Sequence, residues 1–141
     1  MIFDGKSFAK EIEDKVKAQV ISMKVKPKIV SILVGADPAS VLYTKLKSQA
    51  AQRVGIEFEV VKIGEQLTAN SLRQKIAEIG ARGDVTGVMV QLPLPELLRG
   101  RTSKLLEAIP LGKDVDGLRW EESGVKPATV RAILAIVDEI A

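Results

Sequence analysis

The sequence predicts an α/β protein with a mostly parallel β-sheet, and two observations support this prediction. Helical and extended patterns alternate along the chain, from a first helix to a fourth with three strands between them. The extended stretches are short, rich in β-branched residues and bounded by glycine or proline. Such alternation favours parallel strands joined through helices. In open sheets of this class, sites form beyond the carboxyl ends of the strands.

The first half of the chain supplies two helices and one strand. Apolar residues recur about every four positions over 6–21, which predicts an amphipathic helix. The apolar run 29–34 is β-branched and is ended by Gly35, as expected for a buried strand. A turn with the sequence DPAS then begins a second helix, which runs to Val54 and stops at Gly55.

The middle of the chain continues the alternation. Residues 56–63 alternate in polarity and predict a second strand. Residues 68–81 predict a third helix with Thr68 as its N-cap. Residues 85–92 predict a third strand, which a proline-rich segment closes.

The last third is less regular. Residues 101–109 predict a short helix, and residues 110–127 predict a polar loop rich in turns. Residues 128–141 predict a final amphipathic helix. The residues on its apolar side are Val130, Ile133, Leu134 and Val137.

The composition excludes several classes of protein. The chain of 141 residues carries a net charge of only +3, its basic residues are scattered, and 4% of its residues are aromatic, so it is not expected to bind nucleic acid. No apolar run approaches the ~20 residues of a membrane span. The opening Met1-Ile2-Phe3 leads straight into polar residues, which argues against a signal peptide.

The chain has no cysteine and no histidine. Disulfides, thiolate nucleophiles and most zinc sites are therefore excluded, and no metal site is predicted. The absence of cysteine fits a cytoplasmic protein. Acid–base chemistry would have to use lysine, tyrosine, aspartate or glutamate.

One helical face carries a hydroxyl, a phenol and an amine. Ser40, Tyr43 and Lys47 are three and four residues apart, so their side chains lie on the same face. On the pattern alone, the favoured interpretation is structural: an N-cap at Ser40, a half-buried tyrosine and a solvated lysine. The alternative is a site in which an amine near apolar groups, with a lowered pKa, acts as acid, base or polariser.

Two further motifs have both a structural and a functional interpretation. Gln91 ends the third strand and is followed by Pro93 and Pro95, which make it either a strand terminator or a rigidly held amide. Asp114 and Asp116 lie between glycines, which is typical of a turn, although a fixed carboxylate can also accept two hydrogen bonds from a flat ring rich in N–H groups. No Gly-x-Gly-x-x-Gly fingerprint and no Walker-type loop is present.

Together these motifs resemble one family, the bifunctional methylenetetrahydrofolate dehydrogenase/methenyltetrahydrofolate cyclohydrolases. The stretches that carry the resemblance are VGADPASVLYTKLK, GVMVQLPLP and KDVDG, in the order and at about the spacing of the family. The opening DGKSFAKEI is also similar to the first helix of the family. The resemblance implies a three-layer α-β-α fold with a mostly parallel sheet, as in the tetrahydrofolate-binding catalytic domain.

The resemblance also implies roles for individual residues. Lys47 would polarise the one-carbon unit and assist the attack of water, Gln91 would hydrogen-bond Lys47, and Tyr43 would pack against the folate rings and belong to the catalytic group. Asp116 would bind the amino edge of the pterin, and Ser40 would support the turn. The residues implied to contact the substrate are Ser40, Tyr43, Gln91, Leu92, Pro93 and Asp116.

The implied reactions are oxidation of 5,10-methylenetetrahydrofolate with NADP, or NAD in some members, and hydrolysis of the methenyl product to 10-formyltetrahydrofolate. Members of the family are about twice as long as this chain, and their second, Rossmann domain binds the cofactor. No cofactor-binding residue is therefore predicted here, and the chain is expected to be at most a weak cyclohydrolase. Because family homodimers form largely through that second domain, a monomer or a weak dimer is expected.

The helix 128–141 resembles the family in two ways. It is similar to the segment that leads into the second domain, and also to the terminal helix that returns to the first. We favour the first interpretation, with residues 1–141 as one catalytic domain. Two other functions stay open: a folate-binding or regulatory domain without catalysis, and an α/β interaction module whose motifs arise by chance.

Overall fold

A computed structural model describes residues 2–141. Met1, which the sequence prediction includes in the domain and in its opening segment, lies outside them. Seven α-helices, one 3₁₀ turn and three strands occur in the described chain. In order they are α1 Gly5–Ser22, β1 Lys28–Val34, α2 Pro38–Val54, β2 Glu57–Ile63, α3 Ala69–Ala81, β3 Gly87–Val90, α4 Glu96–Arg99, α5 Thr102–Leu106, the 3₁₀ turn Leu111–Lys113, α6 Trp120–Ser123 and α7 Ala128–Ile140.

The three strands are parallel and stand in the order β2-β1-β3, which confirms the predicted α/β class. β1 is therefore central: the chain moves to one side of it for β2 and to the other side for β3. The loops that follow β1 and β3 are neighbours at the carboxyl edge, which is where sheets of this kind form a crevice.

Helices cover both faces of the sheet. Alternate residues of β1 and β3 point to the side of α3 and α5 and form the main core. The members of that core with no exposed surface are Val30, Ile32, Leu72, Ile76, Val88 and Ile109. The opposite face carries α1 and α2. The arrangement is a three-layer α-β-α domain, as the resemblance implied.

Local signals explain where the helices begin and end. Asp4 caps α1 by accepting hydrogen bonds from the backbone N–H groups of Lys6 and Ser7 at 3.1 and 3.2 Å. Thr68 caps α3, as predicted, by accepting from the N–H of Ser71. Gly55 ends α2 in the left-handed conformation with φ of 83°, which favours glycine.

The irregular third of the chain contains more helix than predicted. The helix expected over 101–109 is confined to Thr102–Leu106, and four-residue helices appear at Glu96–Arg99 and Trp120–Ser123. One turn of helix buries too little surface to leave a periodic pattern in the sequence.

The final helix α7 forms where predicted, but it contributes no buried residue. Its predicted apolar side stays open to solvent, with Ile133 56% and Val137 49% exposed. No helix within residues 2–141 is long and apolar enough to cross a membrane.

Candidate active site

An ion pair joins two of the motifs found in the sequence. The ammonium nitrogen Nζ of Lys47 lies 3.1 Å from Oδ2 of Asp116, although the two residues are 69 positions apart. The same nitrogen lies 3.7 Å from the sulfur of Met89 on β3. Both side chains are partly shielded, with 33% of Lys47 and 19% of Asp116 exposed. The pair is therefore accessible to a ligand but rests on an apolar surface.

The loop that carries Asp116 is built around a second carboxylate. Asp114 is 2% exposed, and the backbone of its residue forms an isolated parallel bridge with Val88 of β3. Its carboxylate accepts hydrogen bonds from the N–H groups of Leu118 and Arg119, both at 2.9 Å, and from the hydroxyl of Ser123 at 2.8 Å. Asp114 is thus committed to the turn, which agrees with the structural interpretation of this motif.

Two glycines let this loop approach the sheet. A Cβ atom on Gly87 would overlap the side chain of Val115, so glycine is needed for Val115 to lie against β3. Gly117 has a φ of +68°, and a Cβ there would lie 2.6 Å from the carbonyl oxygen of Val125. Between these two close contacts, Asp116 is held facing Lys47.

Tyr43 lies one helical turn before Lys47 and presents its ring to solvent. The residue is 58% exposed, which leaves a flat aromatic surface on the helical face that carries Lys47. Ser40 is 2% exposed and is not the N-cap of α2, as the structural interpretation of its motif supposed. Asp37 is the N-cap, and it accepts a hydrogen bond from the N–H of Ser40 at 2.8 Å. An aspartate before Pro38 provides a better cap because its carboxylate also favours the positive end of the helix.

Gln91 directly follows β3, as predicted, but it is nearly buried instead of exposed, and it does not bond Lys47. Its Nε2 donates to the carbonyl oxygen of Leu92 at 3.0 Å, and its Oε1 has no partner. The expected Lys47–Gln91 hydrogen bond is therefore absent, and Lys47 donates to Asp116 instead. An anionic carboxylate is the stronger acceptor of the two.

An apolar groove extends from the ion pair along the α2 side of the sheet. It has a volume of about 330 Å³, and Lys47 and Asp116 form part of its wall. Ile29, Phe58 and Met89 are among the apolar residues that line it. This groove was not predicted from the sequence, although the alternation of residues along β1 and β2 places Ile29 and Phe58 on that face.

Pro93 lies apart from the groove. It lines a different cleft, of about 340 Å³, together with Asp37, Pro95 and Arg99 at the carboxyl edge of the sheet. Leu92, which is half-buried, packs against the main core. Of the six residues predicted to contact a substrate, the structure thus places Asp116 directly on Lys47, Tyr43 one turn away and Gln91 two residues beyond Met89.

The helix N-terminus that follows β1 does not fit the pyrophosphate of a dinucleotide. A cradle for pyrophosphate needs free N–H groups at a helix N-terminus that follows a strand. At that position in α2, the carboxylate of Asp37 already occupies the N–H of Ser40 and would repel an anion. No group of three potential metal-binding side chains is present in the part of the chain that the structure describes.

The family model for the tetrahydrofolate dehydrogenase/cyclohydrolase catalytic domain matches residues 3–116. This match spans the first two sequence motifs and the third, KDVDG, except for its last residue, Gly117. It ends at Asp116, so helices α6 and α7 lie outside it.

Known proteins agree with that match. The bifunctional protein FolD of Marinomonas sp. (strain MWYL1) is 39% identical over 122 residues, which is 84% of this chain and 43% of that protein. A crystal structure of FolD from Campylobacter jejuni is 31% identical, covers 97% of this chain and has a TM-score of 0.86. A Trypanosoma brucei enzyme complexed with NADP and an inhibitor shares the fold at 23% identity, 98% coverage and a TM-score of 0.88. The resemblance seen in the sequence is confirmed, and the chain spans about half the length of the curated relatives that it matches.

Proposed function

The chain belongs to the tetrahydrofolate dehydrogenase/cyclohydrolase family as its catalytic domain, and on that premise we propose that it binds tetrahydrofolate derivatives beside Lys47 and hydrolyses 5,10-methenyltetrahydrofolate to the 10-formyl compound. The observation that carries the proposal is the ion pair between Lys47 and Asp116. It brings two distant motifs together beside an exposed aromatic ring and an apolar groove.

Recognition would start at Asp116. Its carboxylate can accept two hydrogen bonds from the N–H-rich edge of a pterin, and it would exchange the ammonium of Lys47 for that edge. The flat ring system would then lie against Tyr43, whose exposed ring offers the needed surface at little entropic cost.

The release of Lys47 supplies the reactive group. The methenyl compound is a cation, and Coulomb repulsion favours a neutral amine over an ammonium group next to it. A neutral amine can accept one proton from the attacking water as the C–O bond forms and return it to the ring nitrogen as the C–N bond breaks, while the remaining hydroxyl proton is released to solvent as the formyl C=O forms. Gln91 completes the group: its Oε1 has no partner among the described protein atoms and can accept a hydrogen bond from the lysine once Asp116 has turned to the substrate.

Hydride transfer requires a nicotinamide cofactor, and this chain's described residues offer no cradle for it. We therefore propose that dehydrogenation with NADP depends on groups beyond those of this domain. A cytoplasmic location, a role for the 10-formyl product as a one-carbon donor in purine biosynthesis, and a monomeric or weakly dimeric state are parts of the same proposal.

The test is hydrolysis of 5,10-methenyltetrahydrofolate, followed by its loss of absorbance. Wild type is compared with Lys47→Met and with the matched control Lys45→Met, an exposed lysine on the same helix. We expect hydrolysis above background that Lys47→Met abolishes and Lys45→Met preserves. Folate binding without hydrolysis in wild type would favour the non-catalytic binding domain, and the absence of both would refute the proposed function.

A further inference from the structure

Four buried side-chain oxygens in the described chain have no hydrogen-bond partner among protein atoms. They are Ser31 Oγ, Ser40 Oγ, Thr44 Oγ1 and Gln91 Oε1. Two of the four belong to residues of α2, one belongs to β1, and one belongs to the residue that directly follows β3. All four therefore lie in or next to the layer between α2 and the sheet.

Ser31 faces α2 and pairs with Met89, the residue that lies beneath Lys47. Its neighbours Val30 and Ile32 point into the core on the other side of the sheet, so Ser31 points toward α2. Its register partner on β3 is Met89, whose sulfur touches Lys47. The hydroxyl of Ser31 is thus one side chain away from the ion pair, although every other residue of β1 after Lys28 is apolar.

Thr44 approaches the same region from above. It is 3% exposed and lies three residues before Lys47 on α2, so the two side chains share one side of the helix. Gln91 lies two residues beyond Met89 and is on the same face of the sheet. Because α2 runs back against the direction of the strands, Thr44 lies toward the end of β3 where Gln91 stands.

A buried hydroxyl without a hydrogen-bond partner destabilises the fold, and several in one place would be unusual. A buried water molecule removes that cost when two to four polar groups surround it, and a chain of this length holds about five such waters. The layer under α2 offers a sufficient number of polar groups, and the rest of the described core does not.

We propose that Thr44 and Ser31 hold an ordered water molecule beneath Lys47, and that this water donates a hydrogen bond to Oε1 of Gln91. The water fixes the Gln91 amide, whose Nε2 is already held by the carbonyl of Leu92. Thr44 and Ser31 are thus positioning residues that act through Gln91. The effect of this positioning on the reaction rests on the proposed function. The water site itself does not.

The test compares Thr44→Val with Thr129→Val, an exposed threonine on α7 that serves as the matched control. A high-resolution crystal structure of wild type is expected to show water density between Thr44, Ser31 and Gln91. Thr44→Val is expected to lower the melting temperature by a few degrees and to shift the NMR signals of the Gln91 side-chain amide. Thr129→Val is expected to leave both unchanged.

A rise in the melting temperature of Thr44→Val would overturn the proposal. If the site is dry, removing an unpaired hydroxyl relieves its desolvation cost, so Thr44→Val would raise the melting temperature, and no density would be seen. An unmoved Gln91 signal would likewise contradict the role in positioning. Should Thr44→Val fail to fold, Ser31→Ala provides the same comparison, and Thr44→Ser is expected to retain both the water and the Gln91 signal. Because none of these measurements uses folate, they stay decisive even if the chain binds none.

Discussion

The two faces of the same three strands have different physical character. On the side of α3 and α5, Val30, Ile32, Val88 and Ile76 have no exposed surface, and the core is continuous and apolar. On the side of α2, the strands carry Ser31 and Met89 instead. The ion pair lies on the sheet there, and an apolar groove beside it stays open. Successive residues along each strand point alternately into these two environments.

This difference indicates that the two faces have separate roles. The α3 face supplies burial, which is the main favourable term in folding, and it contains little that reacts. The α2 face retains groups whose pairing is incomplete, and such groups add little stability but can be redirected to a ligand. Measurements of stability on the α3 face and of binding on the α2 face should therefore separate the two.

Truncation of the α3 face should have the largest effect on stability. Ile76→Ala removes a fully buried side chain and is expected to lower the free energy of unfolding by about 2–5 kcal/mol. Leu42→Ala, on the exposed side of α2, is the matched control and should change it by less than about 0.5 kcal/mol. Denaturant unfolding of both variants measures the contrast, and equal losses would show that the two faces do not differ in this way.

The loop that carries Asp116 should need Gly87 in order to lie against β3. Gly87→Ala forces the side chain of Val115 away from β3, and we expect a loss of about 1–3 kcal/mol together with separation of Lys47 from Asp116. Gly83→Ala is the control, since a Cβ there meets nothing within 4 Å. A crystal structure of Gly87→Ala with the ion pair intact would contradict the role assigned to this glycine.

Loss of the carboxylate should weaken binding more than folding. Asp116→Asn is expected to reduce folate affinity by roughly tenfold, or about 1.4 kcal/mol. Its effect on the free energy of unfolding should stay below about 1 kcal/mol, because the ion pair is partly solvated. Asp138→Asn on α7 controls for the change in net charge. Calorimetric titration and thermal unfolding of the two variants give both numbers, and unchanged affinity in Asp116→Asn would remove Asp116 from the site.

The smallest effect concerns pH at the amino edge of the sheet. Hydrogen bonds from Arg82 and then from Lys28 lower the pKa of Glu59 from 4.5 to about 2, and the same two partners lower the pKa of Asp84. Since the folded-state pKa of Glu59 is depressed, its contribution is full above pH 4.5 and is lost as the pH falls toward 2.

The melting temperature should therefore fall across that interval, and less steeply in Glu59→Gln. Because the network is exposed, added salt should reduce the difference between the two proteins. Identical pH profiles for wild type and Glu59→Gln would show that the network adds nothing measurable. Thermal unfolding between pH 2 and pH 6 measures both curves.

Local chemistry in the sequence predicted most of the fold. The β-branched run before Gly35, the cap at Thr68 and the stop at Gly55 each depend on neighbouring residues, and each forms as expected. The cap at Asp37 in place of Ser40 and the helix at Glu96–Arg99 were not predicted, because several short polar residues compete at one turn and one helical turn has no period.

The candidate site was harder to predict. The spacing of Tyr43 and Lys47 marked a common helical face, but the pairing of Lys47 with Asp116 depends on how Val115 fits against Gly87, a contact between distant segments. Thr44 gave no signal at all, since one threonine on a helix is unremarkable until its hydroxyl is seen to be buried without a partner.

The most direct test is an NMR titration of the protein, labelled at methionine and isoleucine methyl groups, with 5-formyltetrahydrofolate, a stable folate. If the α2 face is the folate site, the methyl signal of Met89 beneath Lys47 will shift with ligand, while that of Ile76 in the opposite core will not. A shift at Ile76 without one at Met89, or no shift at either, would contradict the assignment of the α2 face as the site of folate binding.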